Sequence, residues 1–472
     1  MRRTAKASRD ALVKEFEGIS LGDRRLDARA RRIVDAIAAS PADSFPRQEA
    51  TVAGREALYR FLSNPKVSLA KLLSGHVEAT VARMKGRPVV RIVHDSSAFE
   101  FKGDREGLGI LHGNKMGFIG HVSLAIAGDE SREPLGVLGV SAFVHKDALA
   151  HRGMTTYERM KASRAKPRAE RESSRWERQA LESTNHVPEG TRAIHVMDQE
   201  ADDYLVFGEL MAADVGFVIR ASPSRVTTNG LRAGELLASK PSQIFRTVTL
   251  SDRPKKLMRS GLRLARAERE AKLELRWGAV SLRRGQNVEI SLDELSINAV
   301  HVTEPAPPDG EQPIEWMLFT SEPVTSLEQA ATIVDHYRAR WVIEEYFKAL
   351  KTGCSVEKRQ LTSLDSLTRA LGLLVPIAWH LLLLRHQSRA APTTPATSVF
   401  DSEQLLLLRT LMAKYRYVLA PEPTVRDAML GIAALGGHIR NNGDPGWQVL
   451  GRGFTRFVEA EEVWRLARSD QS

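Results

Sequence analysis

Hydrophobic positions near the amino end recur every three to four residues, which is the period of a helix with one buried face. These positions are Leu26, Ala30, Ile33, Val34 and Ile37. The pattern breaks at Ser44-Phe45-Pro46, and a second amphipathic helix is predicted to end at Asn64-Pro65. The first 72 residues are therefore predicted to be helical.

From about residue 73, short apolar segments rich in β-branched residues alternate with helical ones, which predicts buried strands of an α/β fold. These segments are 89–93, 122–127, 134–144, 193–197 and 216–220. Many shorter strand-like segments then follow between residues 227 and 315, including 244–250, 272–277, 288–292 and 297–302. The pattern predicts an all-β insertion, after which residues 314–321 form one more apolar strand.

A long helix is predicted over residues 327–352, because Ser326 precedes it with Gln329 three positions on, and Gly353 follows it. Residues 370–472 are predicted to be helical as well. The most apolar stretch, 370–384, is shorter than the ~20 residues that cross a bilayer. It also contains a proline and a histidine, so we expect a buried helix and no membrane span.

The length of 472 residues favours about three domains. We predict a helical domain at 1–72, an α/β domain at 73–370 with its β insertion at about 227–315, and a helical domain at 371–472. The net charge is +10, and residues 1–72 hold fifteen basic and nine acidic residues. Segments 152–178 and 252–286 are also basic, so a polyanionic partner such as DNA is favoured over merely solvated surfaces.

Cys354 is the only cysteine, so neither an internal disulfide nor a thiolate metal cage can form. The basic amino end is not followed by an apolar run, so it does not have the pattern of a secretory signal. A cytoplasmic protein is expected, and any metal site must use carboxylates or histidines.

Candidate chemistry appears where two predicted strands end. Asp95 follows the strand at 89–93, and Asp198 follows the strand at 193–197. If the strands are neighbours, two close carboxylates repel each other unless a cation lies between them, so a divalent metal is predicted here. Three histidines flank the same edge and are either hydrogen-bonded core residues or metal ligands: His94, His121 and His195.

The predicted long helix carries an unusual stripe of polar side chains at offsets of 3, 7 and 14 residues, which share one helical face. The stripe consists of Tyr337, Arg340, Glu344 and Lys351. It is either a salt-bridged surface or a face that binds phosphate and metal. The neighbouring stripe is expected to be core, and it consists of Ile333, Trp341 and Phe347.

The segment YRARWVIEEYFKALK has the pattern Tyr, two residues, Arg, three residues, Glu, six residues, Lys. Together with GDRRLDARARRIV, ALYRFLSNPKVS, HDSS, DQEAD, FVIR, EWMLFTSEPV, KTG and AMLGIAALGG, it makes the chain similar to bacterial insertion-sequence transposases of the DDE class. The branch it resembles is the one named for this YREK signature. The likeness extends over nearly the whole chain.

The resemblance implies a ribonuclease H-like catalytic core with a β insertion, between a helical DNA-binding domain and a helical dimerisation domain. It implies an enzyme that binds transposon-end inverted repeats, cleaves them, forms and resolves a hairpin, and inserts the element into target DNA. A homodimer in a synaptic complex, no membrane, and a bacterial, nucleoid-associated location are expected. The alternatives are a catalytically inactive DNA-binding regulator derived from a transposase, and a nuclease of the same fold without strand transfer.

The resemblance also implies roles for particular residues. The catalytic triad that binds two Mg²⁺ ions, with Mn²⁺ able to substitute, consists of Asp95, Asp198 and Glu344. The residues expected to contact DNA near a flipped base are Tyr337, Arg340, Lys351, Trp316 and Trp341, with Arg220 as a further contact. Gln199 departs from the family, which often has arginine there, so a positive charge beside the site is missing.

Overall fold

The computed structural model describes residues 12, 14–39, 44–48, 51–111, 115–144, 153–250, 256–258, 261–263, 267–285, 294–415, 418–439 and 444–469. The strand predicted at 288–292 and part of the basic segment 252–286 lie outside these described residues.

Four helices form the amino-terminal layer: α1 (Arg24–Ala39), α2 (Phe45–Gln48), α3 (Val52–Ser63) and α4 (Leu69–Met84). Thr51 and Ser68 cap α3 and α4, since each hydroxyl accepts a backbone N–H of the first turn. The apolar face predicted for α1 is confirmed, because Ala30, Ile33 and Val34 are fully buried. The helices bury this face in the same apolar core as the central sheet.

A ten-stranded sheet forms the centre of the protein. Its first six strands are β1 (Val89–Phe101), β2 (Gly109–Ile110), β3 (Met116–Ala127), β4 (Pro134–Phe143), β5 (Arg192–Met197) and β6 (Gly216–Ala221). β1 pairs antiparallel with β3 and parallel with β5, and β5 pairs parallel with β6. Helices α5 (Thr156–Arg164), α6 (Arg175–Thr184) and α7 (Tyr204–Ala212) connect these strands. This is the predicted ribonuclease H-like α/β core.

The insertion extends the same sheet beyond β6. It contains a short helix, α8 (Ala233–Ala238), and the strands β7 (Gln243–Leu250), β8 (Lys256–Met258), β9 (Gly261–Arg263), β10 (Arg269–Arg283) and β11 (Glu294–Thr303). The next strand, β12 (Glu315–Thr320), lies between β6 and β11, and β10 and β7 follow outward in antiparallel order. Only β8 and β9 form a separate hairpin among the described strands. The insertion therefore enlarges the central sheet.

The single long helix predicted over 327–352 is wrong. The structure has α9 (Leu327–Arg338), α10 (Trp341–Lys348) and a π-helical turn at Ala349–Gly353. Between the helices the backbone tightens, because Arg340, Val342 and Ile343 each donate to the carbonyl three residues earlier. The stripe of polar residues is therefore divided among α9, which carries Tyr337, the turn, which carries Arg340, α10, which carries Glu344, and the π-helical turn, which carries Lys351.

The carboxyl-terminal part consists of α11 (Leu364–Ala390), α12 (Ser402–Ala413), α13 (Val425–Leu435) and α14 (Trp447–Ser469). By length and composition α11 could cross a membrane, yet 72% of its most apolar 18-residue stretch is buried inside the protein. Pro376 lies within this helix. α12 to α14 enclose a second apolar core around Leu408, Ile432 and Phe457. Because α4 and α11 run across residues 72 and 370, the domain boundaries stay predictions.

Gly136 on β4 lies at a close contact between the amino-terminal helices and the sheet. Its φ is +149°, and a Cβ there would overlap Thr80 Oγ1 of α4 and lie 2.8 Å from the Thr80 Cβ. We expect Gly136→Ala to lower the free energy of unfolding by roughly 2–4 kcal/mol, through overpacking and backbone strain. Gly139→Ala on the same strand is the control, since its Cβ would meet nothing closer than 3.7 Å. Equal urea midpoints for the two variants would contradict this packing.

Candidate functional site

Asp95 lies within β1 and not, as predicted, at its carboxyl end. β1 continues to Phe101 because it forms a long antiparallel hairpin with β3, in which Asp95 is opposite Val122. The parallel pairing of β1 with β5, however, ends at Val93 and Val196. Asp95 therefore lies just beyond the point where the two parallel strands separate, which is the kind of edge where α/β sheets bind ligands.

Asp198 follows β5 directly, as the sequence predicts. Its carboxylate caps a 3₁₀ turn at Gln199–Ala201 by accepting the backbone N–H of Glu200 at 2.9 Å. Since β1 and β5 are parallel neighbours, Asp95 and Asp198 emerge at the same edge of the sheet. The predicted proximity of these two segments is present in the structure.

Glu344 comes from α10 and is connected to the sheet through Arg340. The Nη1 of Arg340 donates to Asp95 Oδ2 at 2.8 Å, and its Nη2 donates to Glu344 Oε1 at 3.4 Å. The side chains of Arg340 and Asp95 are about 15% and 13% exposed, whereas that of Glu344 is 38% exposed. The guanidinium thus lies between two of the three predicted catalytic carboxylates.

The three carboxylates act on one another electrostatically. The pKa of Asp95 is raised to about 7: burial is the largest cause, Arg340 opposes the rise, and the negative charges of Asp198 and Glu344 add to it. Arg340 in turn has a raised pKa; burial opposes this rise, and the neighbouring acidic groups cause it. Crowding of like charge at an edge between elements is typical of a functional site.

The donor set at this edge fits a hard divalent cation. Mg²⁺ prefers carboxylate oxygens with waters and substrate phosphates, and three carboxylates from three separate elements face this edge. Among the residues that the structure describes, no three His, Cys, Asp or Glu side chains are close enough together to hold an ion as they stand. Carboxylates are thus the type of ligand that such a cation binds. In this structure two of them, Asp95 and Glu344, pair with Arg340.

An aromatic and cationic cluster adjoins the carboxylates. The rings of Trp316 on β12 and Tyr337 on α9 pack edge to face, with their centroids 5.4 Å apart. Arg220 on β6 hydrogen-bonds to the Tyr337 hydroxyl, and Arg340 also acts on Tyr337 electrostatically. Burial raises the pKa of Tyr337, so its hydroxyl stays protonated at neutral pH. Four of the six predicted DNA-contact residues therefore lie together.

The two remaining predicted DNA-contact residues lie elsewhere. Lys351, in the π-helical turn, donates to the backbone carbonyl of Ala98 and lies over the Phe99 ring, so it contacts β1 past Asp95. Trp341 was also expected as a core residue, and this is wrong because it is 62% exposed. Ile333 and Phe347, from the same predicted stripe, are buried as expected. Trp341 is the first residue of α10 and does not share the buried face of Ile343 and Phe347.

The three histidines beside the site are buried, and two of them bond to each other. His94 Nε2 and His195 Nδ1 are 2.8 Å apart, and Ser123 and Thr184 satisfy their other ring nitrogens. Burial lowers the pKa of His94 and of His121 well below the ordinary value, so both rings are neutral. They form polar core beneath the carboxylates.

Sequence reasoning missed Arg175, at the start of α6. Its Nε donates to Ser96 Oγ at 3.2 Å, and its Nη2 donates to Glu200 Oε2 at 2.8 Å. A positive charge therefore lies beside Asp198 although position 199 is glutamine. The sequence offered only a basic segment at 152–178, because nothing local indicates which of its arginines reaches the sheet edge.

The raised pKa of Asp95 predicts a pH-dependent stability. Because the folded chain holds this proton up to about pH 7, whereas an unfolded Asp loses it near pH 4, the free energy of unfolding falls as pH rises through that window. The slope is up to about 1.4 kcal/mol per pH unit. Asp95→Asn removes the titration, so the variant gains stability relative to wild type from pH 4 to 7. The free energies of unfolding of wild type and Asp95→Asn are measured by urea unfolding in EDTA. If the two vary with pH in the same way from pH 4 to 7, the raised pKa of Asp95 is contradicted.

Comparisons with known proteins identify the family of the chain. A transposase DNA-binding model matches residues 8–67, and a transposase DDE domain model matches residues 144–379, half of the chain. A cryo-EM structure of a piggyBac transposase synaptic complex with hairpin DNA aligns at 11% identity over 89% of this chain and 79% of that chain, with a TM-score of 0.37. Asp198 and Glu344 lie inside the DDE match. The chain belongs to the DDE transposase family.

Proposed function

We propose that the protein is a cut-and-paste DNA transposase of the bacterial insertion-sequence type, in the branch with the YREK signature. The observation that carries the proposal is the meeting of Asp95, Asp198 and Glu344 at one edge of the sheet, where β1 and β5 are parallel neighbours and Arg340 bonds to Asp95 and Glu344. A family of nucleotidyl transferases and endonucleases supplies the reaction class. The substrates are transposon-end inverted repeats and target DNA, and two copies of the chain act together in a synaptic complex.

The proposed catalytic groups are the three carboxylates. Asp95, Asp198 and Glu344 would hold two Mg²⁺ ions, with Mn²⁺ as a substitute. When bound, such ions lower the pKa of an attacking water or hydroxyl and stabilise the leaving oxygen at phosphorus. Arg340 balances the negative charge of the carboxylates, and its hydrogen bonds orient Asp95 and Glu344 toward the same edge.

The neighbouring cluster would hold DNA for hairpin formation. Arg220 and Arg340 bring two positive charges to the Tyr337 hydroxyl, a combination suited to a backbone phosphate. The half-buried ring of Trp316 lies against Tyr337 and offers a face for an extruded base. Exposed Trp341 is a second stacking surface, and Lys351 supports the adjoining strand.

The amino-terminal layer is the proposed DNA-binding domain. α1 has its apolar face in the core and presents four exposed arginines on the opposite side: Arg24, Arg25, Arg31 and Arg32. Phosphate neutralisation by such residues gives salt-dependent affinity. The carboxyl-terminal helices, with their own core, are proposed to dimerise. The chain would act in the bacterial cytoplasm on the nucleoid.

Substitution of the carboxylates tests the catalytic assignment. We expect Asp95→Asn, Asp198→Asn and Glu344→Gln each to lower Mg²⁺-dependent cleavage of a terminal repeat by at least about 10³-fold, because the cation sites lose charge. Band-shift affinity for the same DNA should change less than threefold. Glu209→Gln, an exposed acid on α7, is the matched control. Cleavage that survives in a carboxylate variant would remove that residue from the triad. Binding of the ends by wild type without cleavage would instead favour the regulator.

Hairpin formation tests the aromatic cluster separately from hydrolysis. Loss of a stacking partner worth about 1–3 kcal/mol should slow hairpin formation by roughly 5- to 150-fold in Trp316→Ala. First-strand nicking needs no extruded base and should be nearly unchanged. Trp316→Phe keeps an aromatic face and should recover most of the rate. Time courses of nicked and hairpin products measure both steps. Equal slowing of both would assign these residues to general DNA binding, and nicking without hairpin or joining in wild type would favour a plain nuclease.

A further inference from the structure

Arg175 connects the two sheet segments that carry Asp95 and Asp198. Its guanidinium donates to three oxygens through three different nitrogens: to Ser96 on β1, to Glu200 in the 3₁₀ turn after β5, and to the backbone carbonyl of Glu172. The rings of Trp176 and Phe143 lie about 5 Å from it. The side chain is only 12% exposed, so its position is fixed by packing on several sides.

Each acidic segment is bonded to Arg175 at the residue that holds the carboxylate in place. The backbone N–H of Ser96 donates to Asp95 Oδ1 at 2.7 Å. The backbone N–H of Glu200 donates to Asp198 Oδ1 at 2.9 Å. The same two residues, Ser96 and Glu200, accept from Arg175 through their side chains. One guanidinium thus links the two residues that orient the two carboxylates.

The direction of the bond between Arg175 and Ser96 is fixed by chemistry. Arginine can only donate, so Ser96 Oγ accepts from Arg175 Nε. Ser96 Oγ also shares a hydrogen bond of 2.9 Å with Nδ1 of His121, whose pKa is lowered by burial and by the nearby arginines. Ser96 is therefore held from two sides, by a buried histidine and by the guanidinium.

We propose that Arg175 is a positioning residue that sets the separation of the Asp95 and Asp198 carboxylates and thereby the affinity of this edge for divalent cations. This inference rests on the proposed function, in which both carboxylates bind metal. Residues that hold metal ligands through hydrogen bonds typically contribute 10- to 100-fold to metal affinity.

The geometric role and a purely electrostatic role of Arg175 have opposite consequences. If only its charge mattered, repulsion would weaken cation binding, so removal of the charge would strengthen it. If its shape matters, lysine fails as a replacement, because a single ammonium cannot reproduce the rigid fork that reaches Ser96 and Glu200 together. Arg175→Lys keeps the charge and changes only the shape.

The test measures Mn²⁺ binding to the full chain without DNA, by the electron paramagnetic resonance signal of the free ion. We expect Arg175→Lys to weaken Mn²⁺ binding at least about tenfold. Arg178→Lys, the same change at an exposed position on α6, is the matched control and should bind as wild type does. Glu200→Gln keeps an oxygen that can accept from Nη2, so it should stay within threefold of wild type, whereas Glu200→Ala should follow Arg175→Lys.

The outcomes separate this proposal from the function on which it rests. Wild-type affinity in Arg175→Lys would overturn the positioning role. Tighter binding in Arg175→Gln than in wild type would assign the residue an electrostatic role and also overturn it. If Asp95→Asn and Asp198→Asn bind Mn²⁺ as wild type does, the metal assignment itself fails. Thermal melts of each variant show whether it is folded. If Arg178→Lys weakens Mn²⁺ binding as much as Arg175→Lys does, the loss reflects a general disturbance of α6 and the positioning role is overturned.

Discussion

The repulsion between carboxylates at one sheet edge is the constraint around which the catalytic domain is arranged. Burial, together with the negative charges of Asp198 and Glu344, opposes the ionisation of Asp95, which is why its pKa lies near 7. The chain meets this constraint with two arginines, one in the turn before α10 and one at the start of α6. Arg340 balances Asp95 and Glu344, and Arg175 stands beside Asp198, so the acidic edge is held by cations of the chain itself.

Much of the fold was predictable because it depends on local patterns. The apolar spacing in α1 and the β-branched runs of β1, β5 and β6 follow from which side chains must be buried, and the structure confirms them. The full length of β1 was not predictable. His94, Asp95 and Ser96 interrupt its apolar run, and their burial is compensated by His195, Arg340 and Arg175, which lie far away in sequence.

The carboxylate pair was predictable for the same local reason, since a strand followed by an acid can be seen in the sequence. The third carboxylate and the DNA-contact residues came from the resemblance, and a strict helical repeat would have misplaced some of them. Neither proline nor glycine marks the tightened turn at residues 339–340, so no local signal indicates it. Trp341 directly follows that turn and Lys351 lies in the π-helical turn after α10, both outside the Tyr337 cluster.

The helix that carries Glu344 is also where the carboxyl-terminal helices meet the catalytic domain. Glu345 accepts the indole N–H of Trp447 on α14 at 3.1 Å and pairs with Arg385 of α11 at 3.5 Å, and Arg385 stacks on the Trp447 ring. Consecutive residues of a helix project about 100° apart from one rigid backbone. Glu344 and Glu345 therefore cannot move independently: one faces the acidic edge while its neighbour is fixed to α11 and α14. Any shift of the carboxyl-terminal helices against the sheet must either break the Glu345 contacts or carry Glu344 with it.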